Sequence, residues 1–341
     1  MSLKKSIKTA FLHLGGFPLR SVYGGRGQIL FLHRLLPDNR DNSVMNANLE
    51  VSSGYLEEII DLYRNKKYEF ISLDQIPEYL ESSNGRFVSL SFDDGFADNY
   101  SVALPLLSGY GIPFTIYIST SYPDHKAIAW NYLLEDLVLS RDHIRFPVRG
   151  STREYICNTP EERKQAWYKI RELAMSCSKE EQAPLLEEFF RSFDMDPYSK
   201  IKELALSWEQ IKELSDHPLV TIGSHMVNHL QANTLSDEEL EYEIGESVRI
   251  LEEKTGKKIK HFAFPYGGRN EVGLRQIEIA GRFGFSTIVT TRQTNVFKGH
   301  LNYMDRLPRI RLANNDMTRF LLYFYGIEPA FRNRFKRIVK D

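Results

Sequence analysis

The stretch Phe87-Val88-Ser89-Leu90-Ser91-Phe92-Asp93-Asp94-Gly95 decides the fold. Its first six residues read as a strand buried on both faces, as in a parallel sheet covered by helices. Two adjacent carboxylates and a glycine follow at its C-terminal end. Parallel α/β folds place their chemistry at that end of their strands. Two more segments repeat the arrangement. Leu219 to Ile222 runs into Ser224-His225-Met226-Val227-Asn228-His229, and Lys260 to Phe264 runs into Pro265-Tyr266-Gly267.

Outward from these segments the chain alternates strands and helices. Gln28 to His33, Phe70 to Leu73, Phe114 to Ile118, Ser286 to Thr290 and Leu307 to Leu312 read as further strands. Between them, Gly54 to Asn65, Asn99 to Leu107 and Arg275 to Gly281 have helical spacing, and Ser207 and Ser236 open capping boxes. About seven strand–helix units suggest a barrel rather than an open sheet. Between Trp130 and Leu206 the strand signals fade into charged amphipathic stretches, with one short hairpin near 144–156. The domain reading is an N-terminal extension over 1–26, an α/β domain over 27–315 with a mostly helical insertion at 126–206, and a basic C-terminal helix over 316–341.

The bulk numbers set limits. The 341 residues are 42% hydrophobic, enough for a substantial core, and 44 basic against 45 acidic residues leave a net charge of −1. No global basic field exists to attract nucleic acid. Cys157 and Cys177 lack metal spacing and read as free thiols. Apolar runs are too short to span a membrane, and Thr9 to Leu14 is too short for a signal sequence, so the expectation is a cytoplasmic protein. The basic tail from Phe331 to Lys340 either lies as a helix on the anionic inner face of a membrane or packs its Phe and Ile residues on the domain.

Each motif carries chemistry. Two adjacent carboxylates at a strand end raise one another's pKa unless a cation sits between them. With a metal bound, one aspartate ligates and the other is free to act as a general base; alternatively the pair is an acidic helix cap. His225 and His229, at i and i+4, are expected on one face of a helical turn, a common ligand geometry. An Asp with two His leaves coordination positions open for water or substrate. A turn at Pro265-Tyr266-Gly267 exposes the Tyr266 N–H as an oxyanion donor, or is a plain structural turn. Trp130, Trp167 and Trp208 read as core residues ahead of a sugar-stacking platform.

Taken together and in this order, Phe92-Asp93-Asp94-Gly95, the Ser224-to-His229 segment and Pro265-Tyr266-Gly267 resemble the polysaccharide deacetylase family (carbohydrate esterase family 4). The flanks Ile29 to Arg34 and Leu307 to Ile310 look like the start and end of its catalytic domain. The resemblance implies an irregular (β/α) barrel. It implies Asp94, His225 and His229 as ligands of a divalent metal, usually zinc, with cobalt or nickel in some members. It implies Asp93 as the base and the Tyr266 amide as the oxyanion donor. The substrate implied is an N-acetylated sugar of a glycan or a lipid-linked saccharide. An O-acetyl esterase and a catalytically impaired carbohydrate-binding protein remain alternatives. Two departures stand out. Many members carry an Arg where this chain has Ala263, and Arg309 is the candidate replacement. Many have a late Leu-x-x-His that supplies the general acid; here only His300, out of context, and His33, at the first strand end, are available.

Overall fold

A computed structural model describes residues 17–38, 45–81, 85–148 and 150–338. The strands in chain order are β1 (Gly27–Leu32), β2 (Arg34–Leu36), β3 (Glu50–Ser52), β4 (Glu69–Phe70), β5 (Phe87–Phe92) and β6 (Phe114–Ile118). They continue as β7 (His143–Val148), β8 (Ser151–Ile156), β9 (Val220–Ser224), β10 (His261–Ala263), β11 (Thr287–Val289) and β12 (Ile310–Arg311). Seven of them form one parallel sheet in the order β11-β10-β9-β6-β5-β1-β12, with the two-residue β4 attached to the start of β5. Leu307, just before β12, bridges back to Val289 of β11, and this contact brings the two ends of the sheet together. The result is the expected α/β barrel, irregular because closure rests on an isolated bridge and short strands.

The register explains the sheet. Leu30 pairs with Leu90 and Ile310, Leu90 with Phe114, and Phe114 with Val220. Every residue of β1, β5 and β6 is buried. One face of these strands packs on the surrounding helices through Leu30, Leu90 and Phe114. The other face points into the barrel, where Ile29, Phe87, Tyr117, Ala263 and Val289 form a separate cluster. Gly223 leaves room for the Tyr117 ring: a Cβ there would lie 2.5 Å from it. Because every strand of the sheet is parallel, the C-terminal ends reach one rim.

The insertion has its own core. The helices Trp130–Ser140, Pro160–Met175 and Lys179–Arg191 pack with the β7–β8 hairpin through Leu137, Ile144, Phe146, Trp167, Ile170 and Phe189. Both expected capping boxes are present, at Ser207 and Ser236. The C-terminal segment differs from expectation. It forms two short helices, Met317–Phe324 and Ile327–Arg332, separated at Gly326, whose φ of +75° ends a helix. Only Phe331 and Arg332 of the basic tail are helical, and residues 339–341, like 1–16, lie outside the described residues. No helix among the described residues is long and apolar enough to cross a membrane.

Candidate active site

Three loops leaving β5, β9 and β10 bring the motifs together, and each does so through left-handed backbone. Adjacent strand residues point to opposite faces. Asp93 and Asp94 nevertheless converge because Asp94 has a φ of +78° and Gly95 one of +86°. A Cβ at 95 would lie 2.8 Å from Ile118 Cδ1, and that side chain would have to shift to admit it. Met226 at +65°, His229 at +53° and Tyr266 at +61° do the same for the other loops. The expected helical turn under the histidine pair is therefore not there. An irregular loop holds the two rings with centroids 5.1 Å apart. Glu243 pins it, accepting the Val227 and Asn228 N–H groups at 3.0 and 2.8 Å and the Asn228 side chain at 2.6 Å.

Asp94, His225 and His229 each offer a ligand atom, all within 4.8 Å of one another. His225 Nδ1 lies 2.7 Å from the Ala263 carbonyl, which can only accept. Nδ1 therefore carries the proton, and Nε2 presents a lone pair toward Asp94. His225 Nε2 and His229 Nε2 stand 3.4 and 3.1 Å from Asp94 Oδ1, which is buried and receives no hydrogen bond. Burial pushes the Asp94 carboxyl upward, but the charge of His229 beside it holds it well below the ordinary range. A buried carboxylate oxygen and an imidazole lone pair aimed at one point fit a divalent cation.

Asp93 is held differently. Arg309, fully buried, grips both its oxygens, Nη1 to Oδ1 at 2.6 Å and Nη2 to Oδ2 at 2.8 Å. The guanidinium also donates to Ser91 Oγ and the Thr290 carbonyl, and lies 4.3 Å from the centroid of the Phe31 ring. Burial alone would raise the Asp93 pKa; the charge of Arg309, which also donates hydrogen bonds to it, brings it below the ordinary value. Arg309 is thus no surface salt bridge but a plug in the barrel, aimed at the carboxylate beside the candidate metal ligands. Tyr266 contributes its ring, 5.1 Å from that of His229, and a backbone N–H with no acceptor among the described residues.

A cavity of about 290 Å³ opens over these groups, and Asp93, Asp94, His225, His229 and Tyr266 all line it. His33 lines it too, its pKa lowered by burial to about 4. His300 does not: it is buried elsewhere, its Nδ1 accepting the Phe297 N–H at 2.9 Å. The tryptophans divide. Trp208 packs against the main core, whereas Trp130 and Trp167 line the cavity, Trp167 while also buried in the insertion's core. The insertion therefore forms one wall of the pocket. Arg171 and Arg311, which also line it, carry no motif that a sequence reading would single out.

A family model described as "Polysaccharide deacetylase" matches residues 81–285, more than half of the chain. The chain belongs to the polysaccharide deacetylase family. A relative named for that family, YxkH of Bacillus subtilis (strain 168), is 29% identical over 86 residues, 25% of this chain and 29% of that protein's length. Among solved structures, Streptococcus pyogenes deacetylase PplD in complex with acetate aligns with a TM-score of 0.55 at 19% identity, over 86% of this chain and 96% of that one. IcaB from Ammonifex degensii aligns at 0.54 and 18% identity, over 89% and 98%. A de-N-acetylase from Aggregatibacter actinomycetemcomitans aligns at 0.54 and 15%, over 87% and 99%. At these identities the likeness speaks to the fold. Ala263 stands where the resemblance leads one to expect an arginine. No side chain from that position reaches Asp93; Arg309, 216 residues after Asp93, holds it.

Proposed function

We propose that the protein is a metal-dependent hydrolase that removes acetyl groups from N-acetylated sugars. The observation that carries this is the convergence of the Asp94, His225 and His229 ligand atoms beside the Arg309-held carboxylate of Asp93. A divalent cation, zinc by its fit to one carboxylate and two imidazoles, would supply Lewis acidity and a water of lowered pKa.

The chain's own groups do the rest. Asp93, kept ionised by Arg309, accepts the proton of the attacking water. The water oxygen bonds to the acetamide carbon, and the carbonyl oxygen takes up negative charge. The Tyr266 N–H meets that charge as an oxyanion donor. The C–N bond then breaks. The proton on Asp93 passes to the amine nitrogen, so one carboxylate serves as base and then as acid. Acetate and a free amine leave. The pocket's aromatic wall of Trp130 and Trp167 suits sugar faces. Arg309 also removes one reason to read the protein as an impaired binder, because the missing Arg at 263 has a counterpart.

The test is acetate release from N- and O-acetylated oligosaccharides by zinc-loaded protein, with Asp93→Asn and His225→Ala as controls. Release from amides that both variants abolish is the expected result. Release from esters alone would make it an O-acetyl esterase, and binding without release would make it a carbohydrate-binding protein.

A further inference from the structure

We infer that the sugar this pocket takes carries an anionic substituent, a carboxylate or a phosphate, close to the acetyl group it loses. This rests on the deacetylase reading above. Two arginines line the same cavity as Asp93 and Asp94: Arg171, on the insertion helix Pro160–Met175, and Arg311, on β12. Neither has a carboxylate within ion-pair distance among the described residues. Arg311 gives one N–H to the Asn48 carbonyl at 2.8 Å, and its Nε is buried with no acceptor. The described contact of Arg171 is the Trp167 ring, 5.8 Å from its guanidinium carbon. The two charges are near enough to act on each other, and Arg171 also acts on Tyr266 across the pocket.

The pocket's carboxylates act on Arg311 from a distance, but neither pairs with it. Arg309 holds both oxygens of Asp93, and Asp94 faces the two histidines. Arg311 further lines an adjoining cavity of about 230 Å³, which shares Asn48 and Gln293 with the first and adds Arg319. The acidic group there, Asp316, caps a helix by accepting the Arg319 N–H. The two cavities thus hold three guanidiniums, Arg171, Arg311 and Arg319, none of them ion-paired among the described residues, while Asp93 is taken by Arg309 and Asp94 faces the histidines. Like charges gathered in a partly desolvated cleft cost stability unless a ligand neutralises them. A guanidinium's planar fork also matches a carboxylate or phosphate better than it matches a hydroxyl.

Three sugars test this on zinc-loaded protein: neutral chitotetraose, a hyaluronan tetrasaccharide bearing glucuronate, and N-acetylglucosamine 1-phosphate. Two readouts apply: kcat/KM for acetate release, and the tryptophan fluorescence change that precedes hydrolysis, reported by Trp130 and Trp167. At least one anionic sugar should bind about tenfold more tightly than the neutral one, the worth of one charge-assisted hydrogen bond. The uronate and phosphate arms identify the source of the charge. Arg311→Gln and Arg171→Ala should bring that ratio toward one, Arg171→Glu should reverse it, and added salt should shrink it. Equal binding of charged and neutral sugars, or an unchanged ratio in the variants, overturns the inference. Acetate release without charge preference does so while leaving the deacetylase reading intact. Charge-dependent fluorescence without acetate release sinks that reading and upholds the inference as a preference for anionic sugars alone. No binding of any of the three overturns the inference.

Discussion

Replacing Arg309 by Met should cost about 3–5 kcal/mol, because it leaves the Asp93 carboxylate buried without its partner. The pair is bidentate at 2.6 and 2.8 Å, with side chains 0% and 4% exposed, so solvent screens little of it. Against a typical total of roughly 5–15 kcal/mol the loss is large. Equilibrium urea unfolding at pH 7 measures it. The double variant Arg309→Met with Asp93→Asn should regain part of the stability, since no charge is then stranded, but no acetate release. The sign with pH follows from Asp93, whose folded pKa lies below its ordinary 3.8. Its contribution is fully present above the unfolded value and is lost as pH falls through the folded one. The gap between wild type and Arg309→Met should therefore hold at neutral pH and close under acid. In the variant, burial acts on Asp93 without the arginine's charge against it, its pKa rises, and the acid limb of kcat/KM moves to higher pH. A stability change under about 0.5 kcal/mol with an unshifted acid limb would refute the argument.

Zinc should raise the melting temperature of the wild type, by the equivalent of about 2.7 kcal/mol at a hundredfold excess over Kd, and leave Asp94→Ala and His229→Ala unmoved. Calorimetric titration of Glu243→Ala should give about 10- to 100-fold weaker zinc binding with the helical circular dichroism intact, because the loop carrying His229 loses its anchor. Gly95→Ala should cost about 1–3 kcal/mol in urea unfolding, since its φ of +86° and the contact with Ile118 both oppose a methyl group. It should weaken zinc binding as well, by moving Asp94.

Much of this was legible in the residues because the signals were local. Strand β5 followed by two carboxylates and a glycine announces a parallel strand with chemistry at its end, and the capping boxes at Ser207 and Ser236 mark helix starts by themselves. What escaped depends on tertiary placement. The spacing of His225 and His229 imitates a helical turn, yet the loop reaches the same end through left-handed residues at 226 and 229. Trp130 and Trp167 are spaced like core residues, and their place on the pocket wall follows from how the insertion docks. Glu243 shares the inward stripe of its helix with Leu240, Ile244 and Ser247, but a glutamate in a charged helix says nothing of the loop it anchors. Arg309 was a candidate only because position 263 lacked an arginine; its burial in the barrel belongs to closure of the sheet.

That closure has a consequence for how the protein comes into being. On the ribosome, Asp93 emerges long before Arg309, 216 residues downstream. Until the segment from Leu307 to Arg311 docks between β11 and β1, the Asp93 carboxylate has no arginine, and the barrel interior lacks one of its largest buried side chains. Contacts this distant in sequence form late. The nascent chain thus carries its histidine loop and its aspartates well before it carries the arginine that holds Asp93. Docking of this late segment, rather than any of the three motifs, completes the charge pairing of the pocket.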